Sequence, residues 1–203
     1  RAKFVSEAYE AASESDYVRL TKDTFEAIAD VNLDHEINLW FGDDLFCQTN
    51  LWFTVFYLSQ NPARKLFIVR MGTAPGYDCG FLSEADCVSA FAGRTRLDRE
   101  TIEAFQHLWR AYQIGDVAKM KLAADSISAK FPSVADAVEA HTARDASNEK
   151  TSGPIQTLRD IVSEMGAQPF SAIFAEFKKR EPIYGFGDLQ VRRLLGEIGY
   201  VEG

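Results

Sequence analysis

Residues 36–71, EINLWFGDDLFCQTNLWFTVFYLSQNPARKLFIVRM, constrain the fold more than any other stretch of the chain. Two short apolar runs, EINLWF and KLFIVRM, flank a longer one, DLFCQTNLWFTVFYLSQ. The short runs have the length of buried strands, and the long run has the length of a helix stopped near Asn61-Pro62. Strand, helix and strand in this order predict a right-handed βαβ unit with a parallel strand pair. Two parallel strands make a thin sheet, which leads us to expect further strands upstream of Arg1.

Elsewhere the pattern is helical. KFVSEAYEAA and TKDTFEAIADV read as amphipathic helices before the first strand. After the glycine-rich loop GTAPGYDCG, Asp98 and Asp116 are placed as N-caps, and Ile102, Phe105, Leu108, Trp109 and Tyr112 form one apolar stripe. Phe131-Pro132 ends the next helix and Ser133 is expected to cap the one after it. RDASNEKTSGP, residues 144–154, is polar and reads as a linker. Beyond it three short helices are expected, with Gly166 as a stop, Pro169 at a first helical position and Asp188 as a cap. Their shared core is predicted as Leu158, Ile161, Phe170, Phe174, Phe177, Leu194, Leu195 and Ile198. The fold class is therefore an α/β N-terminal part, with short parallel strands and flanking helices, followed by an all-α C-terminal part, helix-rich overall. The expected divisions are 1–80 for the α/β part, lacking upstream strands, 81–146 for a helical part packed on it, and 151–203 for a trihelical, winged-helix-like module.

Composition narrows the function classes. A net charge of −8 disfavours broad nucleic-acid binding, because a polyanion is repelled unless basic groups gather on one face. The three cysteines, Cys47, Cys79 and Cys87, are odd in number and lack C-x-x-C spacing, which argues against a disulfide scaffold or zinc knuckle and for a reducing, cytoplasmic setting. No apolar run reaches the roughly 18–20 residues of a membrane span, so no membrane partner is expected.

The candidate site is Gly42-Asp43-Asp44, where a strand end turns into a helix; ligands of open α/β sheets bind at such ends. With a helix starting near Asp44, Asp43, Cys47, Asn50 and Thr54 share one polar stripe, and Asp44 and Gln48 the adjacent one. Asp43, Asp44, Cys47, Gln48 and Asn50 are the proposed ligand-binding set for a small polar molecule, and Asp44 is the proposed metal ligand for a divalent cation. The simpler account is capping, since Asp suits a helix N-terminus; it explains the aspartates but not Gln48 and Asn50 inside so apolar a helix. The histidines His35, His107 and His141 are scattered, with His141 on an apolar stripe as a core or interface residue. YGFGD reads as a turn. In the last helix, Gln190, Arg192 and Arg193 on the outer face would serve DNA in a helix-turn-helix reading. Residues 151–203 carry six Lys or Arg against seven Asp or Glu, so a packing or protein-partner module is preferred there.

LWFGDDLFCQTNLWF resembles the W-F-E-x-D-L-F-x-Q-x-N motif of the domain-of-unknown-function family 1835. FLSEADCVSAFAGRTRLD, FQHLWRAY and GFGDLQVRRLLGEI are similar to that family's later segments. The resemblance implies a bacterial protein with an α/β part followed by helices and no established activity; the family pattern also has an earlier strand and acidic loop, which are not expected within this chain. Trp40, Asp44, Leu45, Gln48 and Asn50 match the motif, and Gly42 stands where the family often has Glu, which removes a carboxylate. The expected function is an intracellular module that binds a small polar ligand and a partner. The alternatives are a metal-assisted hydrolase or transferase using Asp43 and Asp44, and a DNA-binding regulator acting through the C-terminal helices; whether the chain is an enzyme stays open.

Overall fold

The computed structural model describes residues 2–9, 13–70, 82–146 and 153–201. By their contacts, residues 1–35 and 36–203 form two compact units.

The first unit pairs helix α1 (Ala2–Tyr9) with α2 (Glu14–Ala29). Ser13 caps α2, its hydroxyl accepting from the Asp16 amide at 3.1 Å. No residue of α2 is fully buried.

The second unit opens with strand β1 (Glu36–Trp40), helix α3 (Leu45–Leu58) and strand β2 (Lys65–Val69). β1 and β2 are parallel, in register from Glu36 opposite Lys65 to Trp40 opposite Val69, as the order of apolar runs predicts. β3 (Thr95–Arg96) adds antiparallel to β2, with Arg96 opposite Phe67, giving the order β1-β2-β3. Two residues are too few to show a period of two, so β3 escapes sequence reading. Helix α4 (Glu84–Ala92) precedes it, closed by a capping box between Ser83 and Asp86.

Three helices follow: α5 (Arg99–Ile114), α6 (Val117–Ile127) and α7 (Pro132–Ala146). α5 and α7 pack on α3, and α6 packs between α5 and α7. The side chains of Trp52, Val55, Leu66, Val69, Phe105, Leu108 and Met120 are sealed from solvent. Asp98 and Asp116 cap as expected, accepting from Thr101 N at 2.8 Å and Lys119 N at 3.0 Å. Ser133 does not cap α7. The helix starts at Pro132, two residues before the start that a Ser133 cap would give, and the fixed φ and missing N–H of proline suit a first helical position.

The C-terminal helices are α8 (Gly153–Met165), α9 (Phe170–Arg180) and α10 (Asp188–Glu197), with a single 3-10 turn at Pro182–Tyr184. Their common core is Ile155, Leu158, Ile161, Phe170, Ile173, Phe177, Val191, Leu194 and Leu195. Of the expected core residues, Phe174 and Ile198 are only partly buried at its edge. Helices this short are marginal alone, and this shared burial holds them. Gly166 ends α8 at φ +71°. Pro169 is the N-cap of α9 and not its first residue. Asp188 likewise is the first residue of α10; the cap is Gly187, whose N–H is satisfied by the Gln190 side chain at 3.1 Å. Arg180 of α9 reaches Glu164 of α8 at 2.6 Å and pairs within its own helix with Glu176 at 2.7 Å.

Candidate functional site

The chain leaves β1 at Trp40, turns through Phe41-Gly42-Asp43, and enters α3 at Asp44. Asp44 holds extended backbone angles (φ −71°, ψ 159°) and its Oδ1 accepts from the Cys47 amide at 2.8 Å. Capping is thus part of its role. Unlike most N-caps, which lie at the surface, this carboxylate is only 5% exposed.

Gln48 stands one turn further along the same face and is 2% exposed. Its Nε2 donates to the Gly42 carbonyl at 2.8 Å. That bond fixes the amide orientation, because a carbonyl needs a donor. Gln48 Oε1 is buried without a hydrogen-bond partner. Trp52, a further turn along, is fully buried, and its Nε1 also has no partner. An acceptor and a donor, each costly to bury unmatched, therefore lie on one helix face.

The other members of the expected set lie apart from this face. Asn50 donates to the Phe46 carbonyl of its own helix at 2.8 Å, which accounts for a polar residue in an apolar helix without any ligand. Cys47 is half-buried and not in a disulfide, and Asp43 is half-buried at the turn. Cys79 lies outside the described residues.

The turn after α9 closes over the first turn of α3. Gly185 has φ +63°, and a Cβ there would lie 2.0 Å from Asp44 Oδ1. Only glycine fits, for the backbone angle and for the space. Tyr184, 5% exposed, sits beside it; burial pushes its phenol up, with Glu181 adding to the shift and Arg144 opposing it. Phe186, on the other side, stacks on Phe177 of the C-terminal core with centroids 6.1 Å apart.

α7 completes the surround. His141 is 5% exposed, its Nδ1 lies 3.5 Å from Arg144 Nη2, and its ring packs on Tyr112 at 5.1 Å. Tyr112 in turn presents an edge contact to Trp52 at 5.8 Å. α3, α7 and the Pro182–Tyr184 turn pack against one another pairwise. Asp44, Gln48 and His141, three of the few buried polar side chains, belong to this junction. Sequence reading found Asp44 and Gln48 but missed Tyr184 and Gly185. The signal was the pair of glycines around Phe186, which marks a close backbone approach as well as a turn.

Among the described residues no group of three or more His, Cys, Asp or Glu is placed to hold a metal ion. On α10, the Gln190 side chain is engaged at Gly187. The Arg192 guanidinium stacks 3.6 Å over the Phe170 ring, and Arg193 pairs with Glu197 at 2.7 Å. Both arginines are exposed and lie outside the trihelical core. No described helix is long and apolar enough to cross a membrane.

No family model, curated protein or solved structure matches this chain.

Proposed function

We propose that the chain is a cytoplasmic bacterial module of the domain-of-unknown-function family 1835 that binds a small polar ligand and a protein partner. The ligand site is the junction of the first turns of α3 with α7 and the turn at residues 182–187. The observation that carries this reading is that Gln48 Oε1 and Trp52 Nε1, on the face of α3 that Asp44 caps, are each buried without a hydrogen-bond partner. Buried polar atoms are ordinarily satisfied, and those that are not mark places where something else supplies the bond. The partner half of the reading is supported by Trp40 and Phe91. These rings are 39% and 41% exposed and stack with centroids 6.5 Å apart, giving an aromatic surface at the end of β1.

A metal-assisted reaction has less support. Asp44 Oδ1 is spent on the helix cap, and no third ligand of His, Cys, Asp or Glu type stands with it among the described residues. DNA binding has less support as well, with Arg193 paired to an acidic neighbour and a net charge of −8.

The test is a thermal-shift screen of the whole chain against polyols, amino acids, nucleosides, dicarboxylates, polyamines and Mg²⁺ or Mn²⁺. A ligand that binds only the folded state raises the Tm by mass action. At least one class is expected to do so, with the gain lost in Gln48→Leu. A flat response to every class at millimolar concentration refutes the ligand-binding reading.

A further inference from the structure

We propose that the exposed aromatic surface where β1 meets α4 docks a basic segment of a partner protein, one with apolar side chains set between lysines or arginines. This rests on the partner half of the reading above and specifies the partner's chemistry.

The surface is built on a helix none of whose residues is buried. Short helices are ordinarily held by packing an amphipathic face, and α4 keeps its apolar face in solvent. Glu84, Val88 and Phe91 are spaced i, i+4 and i+7 and share that face. Val88 is 65% exposed. The Phe91 and Trp40 rings stack with only 7° between their planes, which carries the apolar surface from α4 across to β1. The rings are preset. The Arg94 guanidinium lies 4.2 Å over Phe91 and 5.1 Å over Phe67. Its Nη1 donates to the Phe91 carbonyl at 3.2 Å, and its Nη2 pairs with Glu36 at 3.1 Å. A partner therefore meets aromatic anchors already fixed in place, which lowers the entropy lost on docking. Tryptophan is among the residue types that carry most binding energy at protein interfaces.

Charge selects the occupant. α4 contributes Glu84 and Asp86, both exposed, and has no Lys or Arg. Asp43 stands at the turn just after β1. The cation on the rings, Arg94, is matched by Glu36. The surface is thus apolar with an acidic surround, and it complements a segment that is apolar between positive charges. A second copy would set this acidic surface against itself, in a chain of net charge −8, and nucleic acid would be repelled.

The experiment is fluorescence anisotropy of dye-labelled peptides titrated with the full chain. The probe is a Leu/Lys peptide with its leucines on one helical face, about 14 residues long and so about 20 Å as a helix. Its scrambled form and its Leu/Glu counterpart are the controls. Saturable binding is expected for the Leu/Lys peptide, much weaker binding for the scrambled form, and none for Leu/Glu. Val88→Lys and Trp40→Ala should each weaken binding about tenfold or more, with circular dichroism unchanged because both sites are exposed. Val88→Lys alters the net charge by a single unit, so its effect marks contact at α4 and not general attraction between an acidic chain and a basic peptide. It decides the matter even if Trp40→Ala does not fold. Equal binding of the scrambled peptide, or no effect of Val88→Lys, overturns the proposal. So does preferred binding of the Leu/Glu peptide, or a dimer in sedimentation velocity that Val88→Lys abolishes. In those last two cases the surface remains a docking site and only the basic partner falls. If no peptide binds and the chain does not self-associate, the partner half of the proposed function falls as well.

Discussion

Gly185 lies so close to Asp44 that a Cβ at position 185 would be 2.0 Å from the carboxylate Oδ1 and 2.5 Å from its carbon. The two residues stand 141 positions apart, yet no side chain fits at position 185 while Asp44 keeps its place. Asp44 is held by the helix it caps, and Gly185 by the left-handed angle that ends the Pro182–Tyr184 turn. Their contact joins the first turn of α3 to the C-terminal helices.

Gly185→Ala should therefore be far more damaging than the same change at Gly166. Both glycines have positive φ, which alone costs an alanine about 1 kcal/mol. A Cβ at Gly166 meets nothing within 4 Å, whereas at Gly185 it meets the carboxylate. We expect a loss of roughly 3 kcal/mol at Gly185 and about 1 at Gly166 by urea denaturation. Asp44→Ala combined with Gly185→Ala should cost clearly less than the two single losses added together. Equal costs at the two glycines would mean that the contact with Asp44 carries no weight.

The buried cap predicts an ordering at position 44. Asp44→Asn keeps an oxygen for the Cys47 amide and should cost less than about 1 kcal/mol, because Asn caps nearly as well as Asp. Asp44→Ala should cost about 2 kcal/mol, the upper end for a lost cap. If Asn and Ala destabilise equally in denaturant titrations, the hydrogen bond to Cys47 is not what position 44 supplies.

Asp98 predicts part of the acid response. Lys130 at 2.5 Å, and then Thr101, hold its carboxyl far below the usual carboxylate range. A carboxyl with a depressed folded-state pKa contributes stability that is complete above its unfolded pKa, about 3.9, and is lost as pH falls below it. The Tm of the unsubstituted chain should therefore fall more steeply between about pH 4 and pH 2 than that of Asp98→Asn. Because Asp98 and Lys130 are both about half exposed, added salt should shrink the difference. Parallel Tm profiles for the two proteins would remove Asp98 from the acid transition.

Duplex DNA should bind poorly. Arg192 stacks on Phe170 and Arg193 is neutralised by Glu197. Fluorescence anisotropy at low salt should give no submicromolar isotherm. A tight isotherm that weakens with salt, and whose salt dependence flattens in Arg192→Ala/Arg193→Ala, would reinstate DNA as the partner.

What the sequence determined by itself was local. The caps at Asp44, Asp98 and Asp116 and the stop at Gly166 are set by hydrogen bonds or backbone angles within a few residues, and the matching residue types announce them. The β1-α3-β2 unit and the trihelical core follow from apolar periods within single elements. Local rules blur by a residue or two where neighbours compete: α7 starts at Pro132, two residues before the start a Ser133 cap would give, and Gly187 takes the cap expected of Asp188. Only the tertiary structure decided that Gly185 roofs Asp44, that Tyr112 links Trp52 to His141, and that Gln48 and Trp52 are sealed with unmatched polar atoms. These relations depend on which faces meet once the elements pack. No pattern along one element carries that information, because each helix shows only which of its sides seeks burial and not what will cover it.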